Sequence, residues 1–145
     1  MFQNILVVCV GNICRSPFAQ AKLAKLAPSL NVHSAGVRAL EGRPADPMAQ
    51  QQAARYGLDL TKHRATQLND QLCRAQDLIL VMEPGHVDAV CSISPGSRGK
   101  VMLLGRWEQN QGVPDPYRKE ASAFTHALEL TATFCRQWTT RMNWH

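Results

Sequence analysis

The sequence lacks the features that mark membrane-spanning, secreted and disordered proteins. None of its apolar runs approaches the roughly 20 residues of a membrane-spanning helix, so we expect no insertion into a membrane. Its first residues also lack a basic segment followed by a long apolar one, and we expect no secretion signal. Charged residues make up 19% and hydrophobic residues 45% of the chain, a balance typical of a folded globular protein. The length of 145 residues predicts a single domain, residues 1–145.

The sequence is also poor in metal-binding and nucleic-acid-binding patterns. Its five cysteines form neither a C-x-x-C pair nor the Cys/His spacing of a zinc site. We expect no cofactor. An odd number of cysteines is typical of a reducing compartment, and we expect a cytoplasmic location. We also expect a monomer. The net charge of +5 comes from scattered lysines and arginines. Without a basic run we expect no nucleic-acid partner, and we interpret the charge as favouring anionic substrates.

Short apolar runs alternate along the chain with segments that have helical signals. This alternation predicts an α/β fold, a single domain with a four-stranded parallel sheet flanked by helices. In such sheets ligands bind beyond the carboxyl ends of the strands, at a switch point in the strand order. The predicted strands are residues 4–10, 31–36, 77–82 and 101–104, and the predicted helices begin near Pro17, Asp46, Asn69, Pro84 and Glu120.

The segment from Cys9 to Ser16, which follows the first strand, has the composition of a phosphate-binding loop. A glycine-containing loop between a strand and a helix can turn backbone N–H groups inward around an anion. A thiol at a helix N-terminus beside a cation ionises readily and then attacks phosphorus, which predicts Cys9 as a nucleophile. Arg15 offers a planar fork that matches two phosphate oxygens. The other predicted loop residues are Val10, Gly11, Asn12, Ile13, Cys14 and Ser16.

The spacing Cys-x5-Arg is weak evidence by itself, because Cys135 and Arg141 repeat it. That second copy lies on an apolar stripe of the last predicted helix, so we interpret Cys135 as a core residue.

A phosphate ester also requires a proton donor for its leaving oxygen. Asp115 lies between two prolines in the loop after the fourth strand, at the sheet edge that Cys9 also reaches. We predict that Asp115 is the general acid and base, and that Tyr117 forms an aromatic wall for a flat substrate ring.

Residues 8–17, together with Pro114-Asp115-Pro116-Tyr117, resemble the low-molecular-weight protein tyrosine phosphatases, and the resemblance covers essentially the whole chain. Residues 98–103, Trp107 and residues 118–119 are most similar to the bacterial branch that dephosphorylates tyrosine autokinases of capsule and exopolysaccharide synthesis. The resemblance implies a metal-free phosphatase that forms a cysteinyl-phosphate on Cys9. It implies a phosphotyrosine protein as substrate, with the C-terminal tail of such an autokinase as the expected partner.

The resemblance also implies roles for residues outside the catalytic set. Ser34 and His63 would hold the loop in shape with Asn12 and Ser16, although a purely structural histidine fits His63 equally well. Cys14 would pair reversibly with the nucleophile under oxidation, with a packed thiol as the alternative. The substrate ring would lie between Leu40 and Tyr117.

Three alternatives stay open. An arsenate reductase of the same fold needs a resolving cysteine pair a short helical distance apart, whereas Cys73 and Cys91 are eighteen residues apart. A protein-arginine phosphatase of this type carries threonine where this chain has Ile13. A non-catalytic phosphate-binding module is expected to lack the thiol or the acid.

Overall fold

A four-stranded parallel sheet forms the centre of the protein, as seen in a computed structural model that describes residues 2–145. The strand order is β2-β1-β3-β4, and every neighbouring pair is parallel. The predicted α/β fold with a four-stranded parallel sheet is therefore confirmed. The strands are β1 (Asn4–Cys9), β2 (Asn31–Gly36), β3 (Leu78–Val81) and β4 (Val101–Leu103).

Helices cover both faces of this sheet, which explains why β1 is apolar and buried from Ile5 to Cys9. The side chains of Ile5 and Val7 enter a core cluster shared with the first and last helices, whereas Leu6 and Val8 enter a second cluster on the other face. The helices are α1 (Arg15–Leu26), α2 (Pro47–Ala54), α3 (Asp70–Arg74), α4 (Gly85–Ile93) and α5 (Ala121–Met142), and short 3₁₀ helices span Pro95–Lys100 and Arg106–Glu108.

Helix α1 begins two residues earlier than the sequence predicted, because its first residue is Arg15 and not Pro17. A proline is compatible with the third helical position, since the first four N–H groups of a helix have no partner within it. The earlier start places the N-terminus of α1 within the predicted phosphate-binding loop, residues 9–16. The loop and the helix N-terminus are therefore one continuous structure.

The position of Cys135 confirms that the second Cys-x5-Arg match is a packing feature. Its side chain is fully buried in the cluster beneath α5, and burial raises the pKa of this thiol to about 12. Nearby, Trp138 donates a hydrogen bond from Nε1 to the carbonyl oxygen of Leu104, at 2.8 Å, which holds α5 to the segment after β4.

Among residues 2–145, no helix is long and apolar enough to span a bilayer.

The order of the strands determines where a ligand can bind. The chain passes from β1 to β2 on one side of β1, and later returns to β3 on its other side. The carboxyl ends of β1 and β3 therefore flank a switch point, which is the usual ligand site of an open parallel sheet. Cys9 is the last residue of β1 and lies at this point.

Candidate active site

Asn12 is the buried centre of the loop that follows β1. It has a positive φ of 60°, a conformation that asparagine tolerates better than most residues do. Its side chain donates hydrogen bonds to the hydroxyl oxygens of Ser16 and Ser34, at 2.8 and 3.0 Å, and accepts one from the backbone N–H of Thr66 at 2.8 Å. The backbone carbonyl oxygen of Asn12 lies 2.7 Å from Nε2 of His63. The structure thus brings together all four residues that the resemblance assigned to loop support.

Gly36 shows how closely the loop is packed against the end of β2. A Cβ atom at this position would collide with the carbonyl oxygen of Val10 and would lie 3.1 Å from the Cβ of Asn12. The backbone beyond Gly36 is bonded to the same loop, with Val37 N–H donating to the carbonyl oxygen of Cys9 at 3.0 Å. Only glycine permits this approach, which fixes the position of the loop relative to the sheet.

The thiol of Cys9 is almost completely buried at the bottom of the loop. Its Sγ atom lies 2.9 Å from the hydroxyl oxygen of Ser16, which is itself held by Asn12. When the sulfur is ionised it can only accept, so the hydroxyl of Ser16 then donates to it. Ser16 therefore contacts the sulfur of the predicted nucleophile directly.

Arg15 is buried with only 1% of its surface exposed, and its guanidinium is held on one side. Its Nη1 donates to the carboxylate of Glu83 at 2.5 Å and to the carbonyl oxygen of Val113 at 2.7 Å. Nη2 lies 3.7 Å from the carboxylate of Asp115. Within residues 2–145 the Nε–Nη2 edge makes no hydrogen bond, which leaves that edge available for two oxygens of a bound phosphate.

Asp115 reaches the site from the loop after β4, as predicted. Its Oδ1 accepts a hydrogen bond from the backbone N–H of Tyr117 at 3.0 Å, while Oδ2 faces Arg15. The side chain is 46% exposed, so it can exchange protons with solvent. Cys9, Arg15 and Asp115 therefore meet although the last lies 100 residues after Arg15 in the sequence.

These residues surround a pocket of about 130 Å³ at the carboxyl edge of the sheet. Leu40 and Tyr117, which the resemblance placed at the substrate ring, both line it, and so does Ile13. Arg38 also lines the pocket, although sequence reasoning did not single it out. The complete lining is Cys9, Val10, Gly11, Ile13, Cys14, Arg15, Arg38, Leu40, Asp115 and Tyr117.

Three titratable side chains beside the pocket have shifted pKa values. Burial, with a smaller contribution from Asp46, holds the pKa of Cys14 far above its usual range, so this thiol stays protonated at neutral pH. Burial lowers the pKa of His63, and burial with the nearby Arg15 lowers that of His86. Both histidines are therefore neutral at pH 7.

Sequence reasoning did not identify Glu83, Val113, Thr66 or His86 as parts of the site. Glu83 lies just beyond β3, and the Nε2 atom of His86 lies 3.8 Å from its carboxylate. The position of Glu83 at the carboxyl end of a central strand is a signal that could have found it. Val113 and Thr66 contribute only backbone atoms, for which the sequence carries no signal.

Comparison with known proteins agrees with this geometry. The family model of the low molecular weight phosphotyrosine protein phosphatases matches residues 4–145. The low molecular weight protein-tyrosine-phosphatase Wzb of Salmonella typhimurium is 50% identical over 143 residues, which cover 99% of this chain and 96% of that protein.

Solved structures extend this comparison to the fold. The structure of Vibrio vulnificus Wzb in complex with benzylphosphonate has a TM-score of 0.95 and 46% identity, covering 97% of this chain and 99% of the other. The YwlE arginine phosphatase of Geobacillus stearothermophilus has a TM-score of 0.90 but only 29% identity, covering 97% and 93%. From the match over residues 4–145 and the 50% identity, this chain belongs to the low-molecular-weight phosphotyrosine protein phosphatase family.

Proposed function

We propose that the protein hydrolyses phosphotyrosine in protein substrates through a covalent cysteinyl-phosphate on Cys9. Membership of the family makes the chain a protein-tyrosine-phosphatase. The observation that supports the residue assignment best is the single pocket lined by Cys9, Arg15 and Asp115. A nucleophile, an anion ligand and a proton donor are the three groups that this hydrolysis needs.

In the first step the thiolate of Cys9 attacks phosphorus, and the bond between phosphorus and the tyrosine oxygen breaks. Asp115 transfers its proton to that leaving oxygen, so tyrosine departs as a neutral phenol. The free Nε–Nη2 edge of Arg15 and the loop N–H groups bind the phosphoryl oxygens as charge shifts in the transition state. Because Nη1 is held by Glu83 and Val113, that edge is already oriented before the substrate arrives.

In the second step a water molecule attacks phosphorus and the bond to sulfur breaks. The Asp115 carboxylate takes a proton from the water, and Cys9 leaves as a thiolate that accepts a hydrogen bond from Ser16. Inorganic phosphate is the product, and Asp115 is protonated again for the next turnover. Asn12, Ser34 and His63 support the loop through both steps by the hydrogen bonds described above.

The walls of the pocket favour a phosphorylated aromatic ring over phosphoarginine. Leu40, Tyr117 and Ile13 offer apolar surface, and a guanidinium between them would lose hydration without gaining a partner there. The identity to Wzb is also much higher than the identity to the YwlE arginine phosphatase. Both observations support phosphotyrosine as the substrate.

We also propose the physiological setting. The residues similar to the bacterial branch, together with 50% identity to Wzb, support a tyrosine autokinase tail as substrate. The odd cysteine count supports a cytoplasmic location. Among residues 2–145, Phe2 is the one large apolar residue that is exposed, with 39% of its surface accessible, which supports a monomer.

Cys14 is proposed as the partner of Cys9 under oxidation. Peroxide would convert the Cys9 thiolate to a sulfenic acid, and Cys14 would condense with it to a disulfide, releasing water. Both thiols line the same pocket and are buried. The raised pKa of Cys14 makes this condensation slow, because the thiolate is the attacking form.

Variants at Cys9 and Asp115 test this mechanism. Cys9→Ser should abolish turnover of phosphotyrosine peptides yet still bind them, since the loop and Arg15 remain. Asp115→Asn should slow alkyl and unsubstituted phenyl phosphates by about 10²–10⁴-fold and p-nitrophenyl phosphate much less, because a good leaving group needs no proton. Full activity of Cys9→Ser, or an equal loss on all leaving groups for Asp115→Asn, would contradict these roles.

Activity assays with other substrates separate the alternative functions. Wild-type protein is offered phosphotyrosine and phosphoarginine peptides, and arsenate with thioredoxin as the reductant. A preference for phosphoarginine, or arsenate reduction without phosphotyrosine hydrolysis, would overturn the proposed activity. Binding without turnover of any substrate by folded protein would indicate a phosphate-binding module.

A further inference from the structure

Arg38 is a cation at the pocket mouth that the reaction itself does not use. It is exposed, and in the part of the chain that the structure describes its guanidinium has no acidic partner. Arg74 and Arg98, in contrast, each pair with an aspartate, Asp70 and Asp88 respectively. An unpaired guanidinium that lines a substrate pocket is available to a ligand.

The backbone of Arg38 is fixed to the phosphate-binding loop, so its side chain starts from a defined place. Its N–H donates to the carbonyl oxygen of Val10 at 3.0 Å, and the N–H of Leu40 donates to that of Gly11 at 3.1 Å. The side-chain oxygen of Gln67 also accepts a hydrogen bond from the backbone N–H of Ala39, at 2.9 Å. The loop that binds phosphate therefore also sets the distance between the phosphate and Arg38.

The charges of the occupied pocket leave Arg38 unpaired. The phosphate dianion pairs with Arg15, and Asp115 carries a proton when it acts as the acid. The ring lies between Leu40 and Tyr117, so the peptide residues beside the phosphotyrosine pass over the rim, where Arg38 lies. Arg118 does not line the pocket, and its guanidinium carbon lies 5.2 Å from the centroid of the Tyr117 ring.

We propose that Arg38 recognises an anionic group, a carboxylate or a second phosphate, on a residue next to the phosphotyrosine. This specificity rests on the proposed function and extends it from a phosphotyrosine to a phosphotyrosine with an acidic neighbour. An exposed ion pair to a carboxylate should raise kcat/KM by about two- to fivefold. A neighbouring phosphate, which Arg can bind through two parallel hydrogen bonds, should raise it by about five- to tenfold.

Peptides that differ only beside the phosphotyrosine test this proposal. One peptide has neutral residues on both sides of the phosphotyrosine, and two carry glutamate, either before or after it. A fourth peptide carries phosphoserine beside the phosphotyrosine, so that recognition of a carboxylate and recognition of a phosphate are measured separately. The quantity measured is the ratio of kcat/KM for each acidic peptide to that for the neutral one, so a general change in activity cancels. Turnover of the neutral peptide by wild-type protein tests the proposed function separately, and its absence would remove both proposals.

Arg38→Gln is compared with Arg136→Gln, which removes the same charge from an exposed site on α5. Among residues 2–145, the only side-chain hydrogen bond of Arg136 is to Thr133 of the same helix. We expect Arg38→Gln to reduce the ratio to about one and Arg136→Gln to preserve it. The wild-type ratio should also fall as salt is raised well above about 0.1 M, where the screening length is about 10 Å. A wild-type ratio of one, a ratio that survives in Arg38→Gln, or an equal loss in both variants would overturn the proposal.

Discussion

Asn12 holds the phosphate-binding loop through its side-chain hydrogen bonds and through its tolerance of a positive φ, and replacing it should separate these two contributions. Asn12→Ala removes three side-chain hydrogen bonds, to Ser16, Ser34 and Thr66. Each such bond contributes about 1 kcal/mol net. Ser16 and Ser34 keep other partners, and Thr66 is exposed and can bond to water, so the total loss should be about 2–3 kcal/mol. Alanine at a φ of 60° adds about 1–2 kcal/mol of backbone strain.

Asn12→Gly loses the same hydrogen bonds but tolerates the positive φ. After allowing for the greater chain entropy of glycine when unfolded, we expect it to be about 0.5–1 kcal/mol more stable than Asn12→Ala. Asn110 supplies the matched control, because it has a φ of 59° in an exposed loop and makes no side-chain hydrogen bond among residues 2–145. Asn110→Ala should show the strain alone, and Asn110→Gly only the smaller cost of the greater chain entropy of glycine when unfolded.

Urea denaturation measures these differences, and kcat on p-nitrophenyl phosphate measures the consequence for the site. A loop displacement of about 1 Å can cost about 10²-fold in rate, so we expect both Asn12 variants, and neither Asn110 variant, to lose activity. The reasoning fails if Asn12→Gly is as stable and active as the wild type, since the hydrogen bonds would then contribute nothing. It also fails if the Asn110 variants lose as much stability as the Asn12 variants.

Three further outcomes are expected. Glu83→Gln keeps a hydrogen-bond acceptor for Arg15 but removes the negative charge. Because Glu83 is partly exposed, kcat/KM should fall only about three- to tenfold. An unchanged kcat/KM in steady-state kinetics would contradict this expectation. Burial lowers the pKa of His86, so the imidazole binds a proton more readily in the unfolded chain, and stability is lost as pH falls below about 6.5. In urea titrations, His86→Asn should therefore lose less stability between pH 7 and pH 5 than the wild type, and an equal loss would refute this cause. After mild peroxide treatment, Cys14→Ser should recover less activity with thiols, and unchanged recovery would make Cys14 purely structural.

The parts of the fold that the sequence predicted are those dictated by local pattern. The apolar run of β1 required helices on both faces, and the alternation of strands and helices required a parallel sheet. Asp115 could be placed beside Cys9 because parallel strands end at a common edge. The start of α1 was wrong by two residues, because proline marks only the neighbourhood of a helix N-terminus.

The parts of the site that were missed depend on contacts between distant segments. Glu83 and the carbonyl oxygen of Val113 hold the guanidinium of Arg15, yet they lie 68 and 98 residues after it. No periodicity or spacing indicates which acceptor a buried guanidinium will meet. Arg38 was missed for a related reason, because its availability follows from the absence of a nearby carboxylate, which is a property of the fold and not of the neighbouring sequence.

The anchoring of Arg15 links the geometry of the sheet to the chemistry of the loop. Glu83 follows β3 and Val113 follows β4, whereas Arg15 itself is held on the loop that follows β1. The direction of the guanidinium therefore depends on the positions of three strand ends at once. A buried arginine without acceptors would carry a large desolvation cost, so the loop reaches this conformation only when the three strands are correctly paired. The orientation of the Arg15 guanidinium is consequently a product of folding, and in the proposed mechanism the substrate meets an edge of Arg15 that is already oriented.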